Sequence, residues 1–394
     1  MRRRDLLKLA VPALVAGHAW AAPQTTTRLL VVFLRGGYDA ANVVIPTASE
    51  FYHRCRPRLR IAAPDPSNPD AALPLDADWS LHPALKDTIQ PLWQARQIAF
   101  VPFAGTDDLS RSHFETQDSI ELGQPIAAAR DFNSGFMSRL YGQLAAGARP
   151  IAFTDQLPLS FRGGRQVANA GLGTVNKPGV DDREARLIQQ MYQGRDLAPS
   201  VAKGFEVRDE VYRSVSAEMT AASRGAVSPG GFELSARRIG RLMRDQYNLA
   251  FVDVGGWDTH VNQGAAKGYL ADRLGELGQG LSGYVQELGP EAWNDTVVVV
   301  ISEFGRTFRE NGDVGTDHGH GSAWWVMGGQ VRGGRLAGAQ VAVSEATLNQ
   351  NRDFPVLTDY RSLLGGLFQR LYGLNPTALA EVFPQARPKD LGLL

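Results

Sequence analysis

Asp258 and His260 stand two residues apart, and so do His318 and His320. In extended chain, side chains two apart share a face, so each pair can offer two donors to one point. Three of the chain's seven histidines fall within 251–320, and Glu303 and Asp317 add carboxylates there. Carboxylates mixed with imidazoles are what a borderline divalent cation takes. Gly255, Gly256, Gly319 and Gly321 flank the two pairs, and glycine permits tight turns and close approach to a ligand. The pattern points to a metal site. A set of ordinary loops with polar caps is the plainer alternative, and a single Asp-x-His pair would not exceed it.

Two smaller constellations add reactive groups. Asp39 follows an apolar run in Arg35-Gly36-Gly37-Tyr38-Asp39. Ligands of open α/β sheets gather beyond the carboxyl ends of strands, which puts Asp39 within reach of the same site. A turn or cap role is the alternative. Gly36-Gly37 does not make G-x-G-x-x-G, so no dinucleotide fingerprint is present. Ser110-Arg111-Ser112-His113-Phe114-Glu115 opens a predicted helix over 114–122. Ser112 with Glu115 is a capping-box pattern. The same place suits a nucleophile, because helix N-termini favour anions and a nearby divalent ion lowers a hydroxyl's pKa. Arg111, His113 and Arg306 are candidates to bind an oxyanion. His53 and His82 read as structural.

The elements that must position these groups are legible as apolar runs. Residues 28–34, 97–103, 150–154, 249–254 and 296–301 read as buried strands, and continuous runs of this kind suit parallel sheets. Helical patterns lie between them at 82–96, 232–247 and 269–288. Late strands are expected within 324–338, a terminal helix at 358–373 and a tail at 384–394. Residues 163–235 lack a convincing buried strand and read as a mainly helical insertion, with 214–231 rich in Ser, Ala and Gly. Strands alternating with helices predict a layered α/β fold.

Composition fits a globular enzyme or binding protein: 43% hydrophobic, 21% charged and no net charge, which gives no reason to expect nucleic acid. The first residues, Met1-Arg2-Arg3-Arg4-Asp5-Leu6-Leu7-Lys8, lead into a short apolar run and Ala19-Trp20-Ala21. This is the layout of an export signal with a twin-arginine motif and a small-x-small cleavage site, predicting residues 1–21 as signal peptide and 22–394 as the mature domain. A general secretory signal is the alternative. The apolar run is too short to span a bilayer, and no second stretch approaches that length. Removing 1–21 takes four basic residues and Asp5, leaving about −3. The single Cys55 allows no internal disulfide and no haem or iron–sulfur pattern, which counts against a redox role.

The signal, Phe33-Leu34-Arg35-Gly36-Gly37-Tyr38-Asp39, Arg111-Ser112-His113-Phe114, Val252 through His260, Ser302-Glu303-Phe304-Gly305-Arg306 and Asp317-His318-Gly319-His320-Gly321 together resemble the bacterial DUF1501 family. The resemblance runs from the signal to near residue 370. That family is similar in fold to the alkaline phosphatase and sulfatase superfamily. The resemblance implies an α/β/α sandwich with a mostly parallel central sheet. It implies Asp39 as a first carboxylate and Ser112 at the nucleophile position. Asp258 and His260 would hold one metal, Glu303 another, with Asp317, His318 and His320 as the late ligands. One or two divalent ions are expected, zinc, magnesium, manganese or calcium.

The function this implies is a periplasmic or extracellular, metal-dependent hydrolase of phosphate or sulfate esters. It would be exported by the twin-arginine translocation machinery, act on a small ester substrate and have no stable membrane span in the mature chain. The alternative is a non-catalytic, metal-loaded protein of the same fold that binds a partner or an envelope component.

Overall fold

Arg-Leu-Leu-Val-Val-Phe-Leu forms a strand, β1 (Arg28–Leu34), because branched and aromatic side chains fill both sides of an extended chain. Leu30, Val32 and Leu34 face one core and Leu29, Val31 and Phe33 the other. The computed structural model to which this strand belongs describes residues 27–144, 147–172, 182–206 and 231–394. The signal sequence and its cleavage site lie outside the described residues, as does 207–230.

Among the described residues the main sheet has nine strands. They are β1, β2 (Ile98–Gly105), β3 (Pro150–Phe153), β4 (Ala168–Asn169), β5 (Leu249–Val254), β6 (Thr296–Ser302), β7 (Ser322–Met327), β8 (Arg335–Leu336) and β9 (Thr358–Asp359). Their spatial order is β8-β2-β7-β6-β1-β5-β3-β4, with β9 also paired to β2. All pairings are parallel except those of β7, which runs antiparallel to both β2 and β6. The sheet is therefore mostly parallel, the fold is α/β, and one reversed strand has a consequence for the site. The start of β7 lies at the edge where β1, β2, β5 and β6 end, so residues 317–321 arrive beside residues 35–39, 255–260 and 303–306.

Helices cover both faces. Phe232–Asp245 and Tyr269–Asn294 pack on the first core, contributing Ile239, Leu242, Leu274 and Leu281. His113–Leu122, Phe136–Gln143, Tyr360–Tyr372 and Pro376–Val382 pack on the second. Tyr269–Asn294 bends at Gly289, whose φ of 74° leaves the helix, just before Pro290. The pattern over 82–96 forms two short pieces instead of one helix, Pro83–Leu85 and Gln90–Gln94. Pro91 has no N–H for an interior helical bond and sits in the first turn of the second piece. Leu85, Ile89 and Trp93 are buried all the same. In the expected insertion, Asp182–Tyr192 is helical, and Ala168–Asn169 extends the sheet by two residues. Val44–Ile45, Ser80–Leu81 and Leu73–Pro74 form a second, small sheet. Among the described residues no helix is long and apolar enough to cross a membrane.

Candidate metal centre

The turn after β1 sets the floor of the site. Gly36 and Gly37 have φ of 124° and 62°. A Cβ on Gly36 would lie 2.6 Å from the Asp258 nitrogen, and one on Gly37 would meet the Phe304 ring at 2.3 Å. Only glycine lets this turn press against the β5 and β6 loops. The Gly36 N–H donates to Glu303 Oε1 at 2.8 Å. The carbonyls of Gly36 and Gly37 each accept from Arg306 at 2.5 Å.

Three imidazoles gather above this floor, each fixed from behind. His113 is the first residue of its helix, and its Nδ1 lies 2.8 Å from Glu303 Oε1. His318 Nδ1 lies 2.8 Å from the Arg111 carbonyl. His260 Nδ1 lies 3.2 Å from Asp317 Oδ1. Carboxylates and carbonyls only accept, so all three rings donate from Nδ1, and in their neutral forms carry a lone pair on Nε2; the tautomers follow from these partners. Arg306 Nη1, which can only donate, contacts His260 Nε2 at 3.4 Å and agrees with that assignment.

The three Nε2 atoms converge on Asp258. His260 Nε2 is 3.0 Å from Asp258 Oδ1, His318 Nε2 is 3.5 Å from the same oxygen, and His113 Nε2 is 3.5 Å from Oδ2. One ligand atom each from His113, Asp258 and His318 lie within 4.8 Å of one another. Ligands of a single ion lie at most twice a bond length apart, about 4–5 Å, and about 3.3 Å apart in a tetrahedral shell. His260 and His318 bring their Nε2 atoms to 3.0 Å. Two lone pairs at that distance repel unless a proton or cation sits with them. His113 Nε2 is buried and has no hydrogen-bond partner. An orphaned buried nitrogen and two opposed lone pairs around a carboxylate fit a divalent ion. The support from Glu303, Arg111 and Asp317 is what metal-binding histidines use to fix ring and tautomer.

The electrostatics are those of a paired anion among rings. Burial works to raise the Asp258 carboxyl, but the hydrogen bond and charge of Arg306 outweigh it and hold the pKa below the usual range. Glu303 behaves alike: burial is overcome by hydrogen bonds from His113, Gln117 and Gly36, and its pKa is lowered. The Glu303 bond raises His113 against the opposing effect of burial. Burial lowers His318, partly offset by the Arg111 carbonyl. Asp258 and His260 are 46% and 40% exposed, against 0% for Glu303, so the ring opens to solvent on the Asp258 side.

Several expected ligands stand elsewhere. Asp39 is fully buried, with both oxygens held by Arg56 at 2.5 and 2.9 Å and Oδ2 also by Gln263 at 2.6 Å. Arg56 already supplies the charge a metal would have brought. Glu303 stands behind His113, with Oε1 accepting from Gly36, His113 and Gln117 and Oε2 from Ser302. Asp317 stands behind His260 in the same way. His320 is buried outside the ring, and burial lowers its pKa. The chain bends at this glycine-flanked residue, which ends the two-residue alternation that would have set it beside His318.

Neither arginine expected to meet an oxyanion is placed to do so. Arg306 donates to the carbonyls of Gly36, Gly37, Trp257 and Thr316 and to Asp258, and its side chain is 0% exposed. Arg111 donates to Asp353 and Gln350. Its φ of 52° turns its carbonyl to His318. Ser112 caps the helix, accepting from the Glu115 N–H at a long 3.5 Å, while its own N–H turns to Ser110 Oγ. His113, expected at an oxyanion, is instead one of the ring's three imidazoles. The signal for that was available: His113 and Gln117 are four apart on one helix, and both donate to Glu303.

A mostly parallel α/β sheet thus carries histidines around a carboxylate at its carboxyl edge. More particularly, the chain belongs to the family described as Protein of unknown function (DUF1501), whose model matches residues 26–383. No curated protein matches it. Among solved structures it is similar to a protein in the alkaline phosphatase superfamily from Vibrio parahaemolyticus, at 12% identity and a TM-score of 0.35. That likeness covers 78% of this chain and spans 62% of the other's length. It is also similar to Ps i-CgsB, solved alone and in complex with k-i-k-neocarrahexaose, at 11% identity and a TM-score of 0.40, covering 91% of this chain and 74% of that one. At scores this low the likeness fixes nothing about chemistry.

Proposed function

We propose that this chain is an exported, divalent-metal-dependent hydrolase of phosphate or sulfate esters. The observation that carries the metal part is the convergence of three Nδ1-anchored imidazoles on Asp258 at an open edge. His113, Asp258 and His318 would hold the ion, with His260 bordering it. Bound there, a divalent ion supplies Lewis acidity to an ester oxygen.

The rest falls to the chain. Glu303, the Arg111 carbonyl and Asp317 orient the three rings. Arg306 keeps Asp258 ionised. Ser112 adjoins His113 at a ten-residue helix's N-terminus, where backbone N–H groups favour an anion. Its weak cap bond leaves the hydroxyl free to attack, releasing the alcohol, with water then freeing the acid. Export is supported by Arg3-Arg4-Asp5-Leu6-Leu7-Lys8. Changing both arginines to lysine should hold the precursor in the cytoplasm, and normal periplasmic processing would leave general secretion.

A non-catalytic, metal-loaded binding protein is the second reading. The commitment of Arg111 and Arg306 to internal partners favours it, since neither is left to grip an oxyanion. Ser112 separates the two readings. Ser112→Ala removes a cap worth about 0.5–2 kcal/mol, and Ser112→Asp restores most of it. On the hydrolase reading both variants lose turnover of aryl phosphate or sulfate esters, while Glu115→Ala keeps it. Bound metal and melting temperature are followed alongside. Full turnover in metal-loaded Ser112→Ala reduces the serine to a cap. An inactive wild type on a broad ester panel favours the binding protein.

A further inference from the structure

We infer that the site takes one divalent ion per chain and not two, because Arg56 already neutralises Asp39, Arg306 already pairs with Asp258, and Glu303 is spent on internal donors. This rests on the metal centre proposed above. Among the described residues, His113, Asp258 and His318 form the one group of three candidate donors close enough to share an ion. A second ion would have to draw on Asp39, Glu303, Asp317 or His320.

Asp39 and Glu303 are committed to other partners, which leaves Asp317 Oδ2 and His320, too few donors to hold a second ion. Asp39 carries Arg56 on both oxygens and Gln263 on one, in a site 0–1% exposed. Glu303 is 0% exposed and receives four donors, three of them on Oε1. Asp317 holds His260 and the Asn311 amide on a single oxygen. The acidic charge that acts most strongly on His320 is Asp353, which is bound by Arg111 and Asn349.

Arg306 completes the argument. Its guanidinium is fixed by four carbonyls and bound to Asp258, and it reaches His260 Nε2 at 3.4 Å. A permanent positive charge thus already sits on Asp258 Oδ1, the oxygen that His260 and His318 also approach. Guanidinium is always charged and cannot yield its place by losing a proton. A second dication beside it would meet like charge with only Asp317 Oδ2 to offset it.

The full mature chain, purified from the periplasm with its tag removed, is loaded separately with zinc and with manganese and dialysed. Ions per chain are counted by mass spectrometry, and affinity is read by competition with a chromophoric chelator. The expected count is one for either metal. Asp258→Asn should weaken binding at least tenfold. His320→Gln, shown folded by circular dichroism, should still bind one ion within twofold of wild type. Two ions per chain, or an ion lost with His320, overturns the single-ion inference and leaves a metal centre standing. No ion at all overturns the centre and this inference with it.

Discussion

Two aspartate–arginine pairs lie at the same edge of the sheet and do different things. Asp39 and Arg56 are sealed, with side chains 1% and 0% exposed. Every polar atom of the pair is spent inside the protein: Arg56 also donates to Asn42, Thr307 and Phe308, and Gln263 bridges from Asp39 to the hydroxyls of Thr259 and Thr316. Asp258 and Arg306 make the second pair. Its arginine is as deeply buried, but its aspartate is 46% exposed and faces three imidazole nitrogens. The sealed pair therefore acts as a clamp. It ties the neighbours of Asp258, Arg306 and Asp317 to one another beneath the ring. The half-open pair leaves donor capacity over, and surplus donors at a solvent edge are what a ligand site requires.

The largest expected effect breaks the clamp. Arg56→Met strands a buried carboxylate, and losing one partner of a buried pair costs about 3–5 kcal/mol. Asp258→Asn removes a charge that is half in water and leaves a guanidinium that four carbonyls still hold, and should cost less. Urea unfolding of the metal-free proteins compares the two. If Arg56→Met costs no more than Asp258→Asn, the distinction between clamp and site is wrong.

The contrast extends to histidines. His82, on the sealed side, is fully buried, with Nδ1 accepting from the Ala84 N–H and Nε2 donating to the Ala265 carbonyl. Burial holds its pKa down at about 4 from 6.5, against weaker upward pulls from the Ala265 bond and the Asp39 charge. The folded state thus prefers the neutral ring. Its contribution is complete above the unfolded value of 6.5 and is lost as pH falls from there through about 4. The difference corresponds to about 3 kcal/mol. His82→Gln should flatten the fall in unfolding free energy between about pH 7 and about pH 4 by most of that amount. An unchanged slope in the variant would remove His82 as its source.

Much of this was legible in the sequence, for a physical reason. Strands buried on both faces must be apolar throughout, so Arg28–Leu34, Leu249–Val254 and Thr296–Ser302 appear as unbroken runs. The convergence of Asp258, His260 and His318 followed from turns at strand ends. What the sequence hid was partnership at long range. Arg56 claims Asp39 from 17 residues away, and Gln263 claims it from 224. Glu303 meets His113 across 190 residues, and no local period records that one carboxylate stands behind an imidazole while another faces three. The reversed direction of β7 was equally invisible, because an apolar run carries no arrow.

The smallest effect tests that last distinction. Glu303→Gln keeps the side chain's shape and places one oxygen where Oε1 accepts from Gly36, His113 and Gln117. The amide then faces Ser302, whose single hydroxyl proton stays on the Leu34 carbonyl at 2.7 Å while its oxygen accepts from the amide. The loss to the site is the negative charge behind His113, and with it the ring's basicity at Nε2. Replacing such a supporting group weakens metal binding by about 10–100-fold, roughly 1.4–2.7 kcal/mol. His113→Ala, which deletes the ligand itself, should cost more, while Gln117→Ala, which only touches the support, should cost less. Competition titration with a chelator gives the order. If Glu303→Gln weakens binding as much as His113→Ala, Glu303 touches the ion itself. If Glu303→Gln binds like wild type, His113 is not one of the ligands.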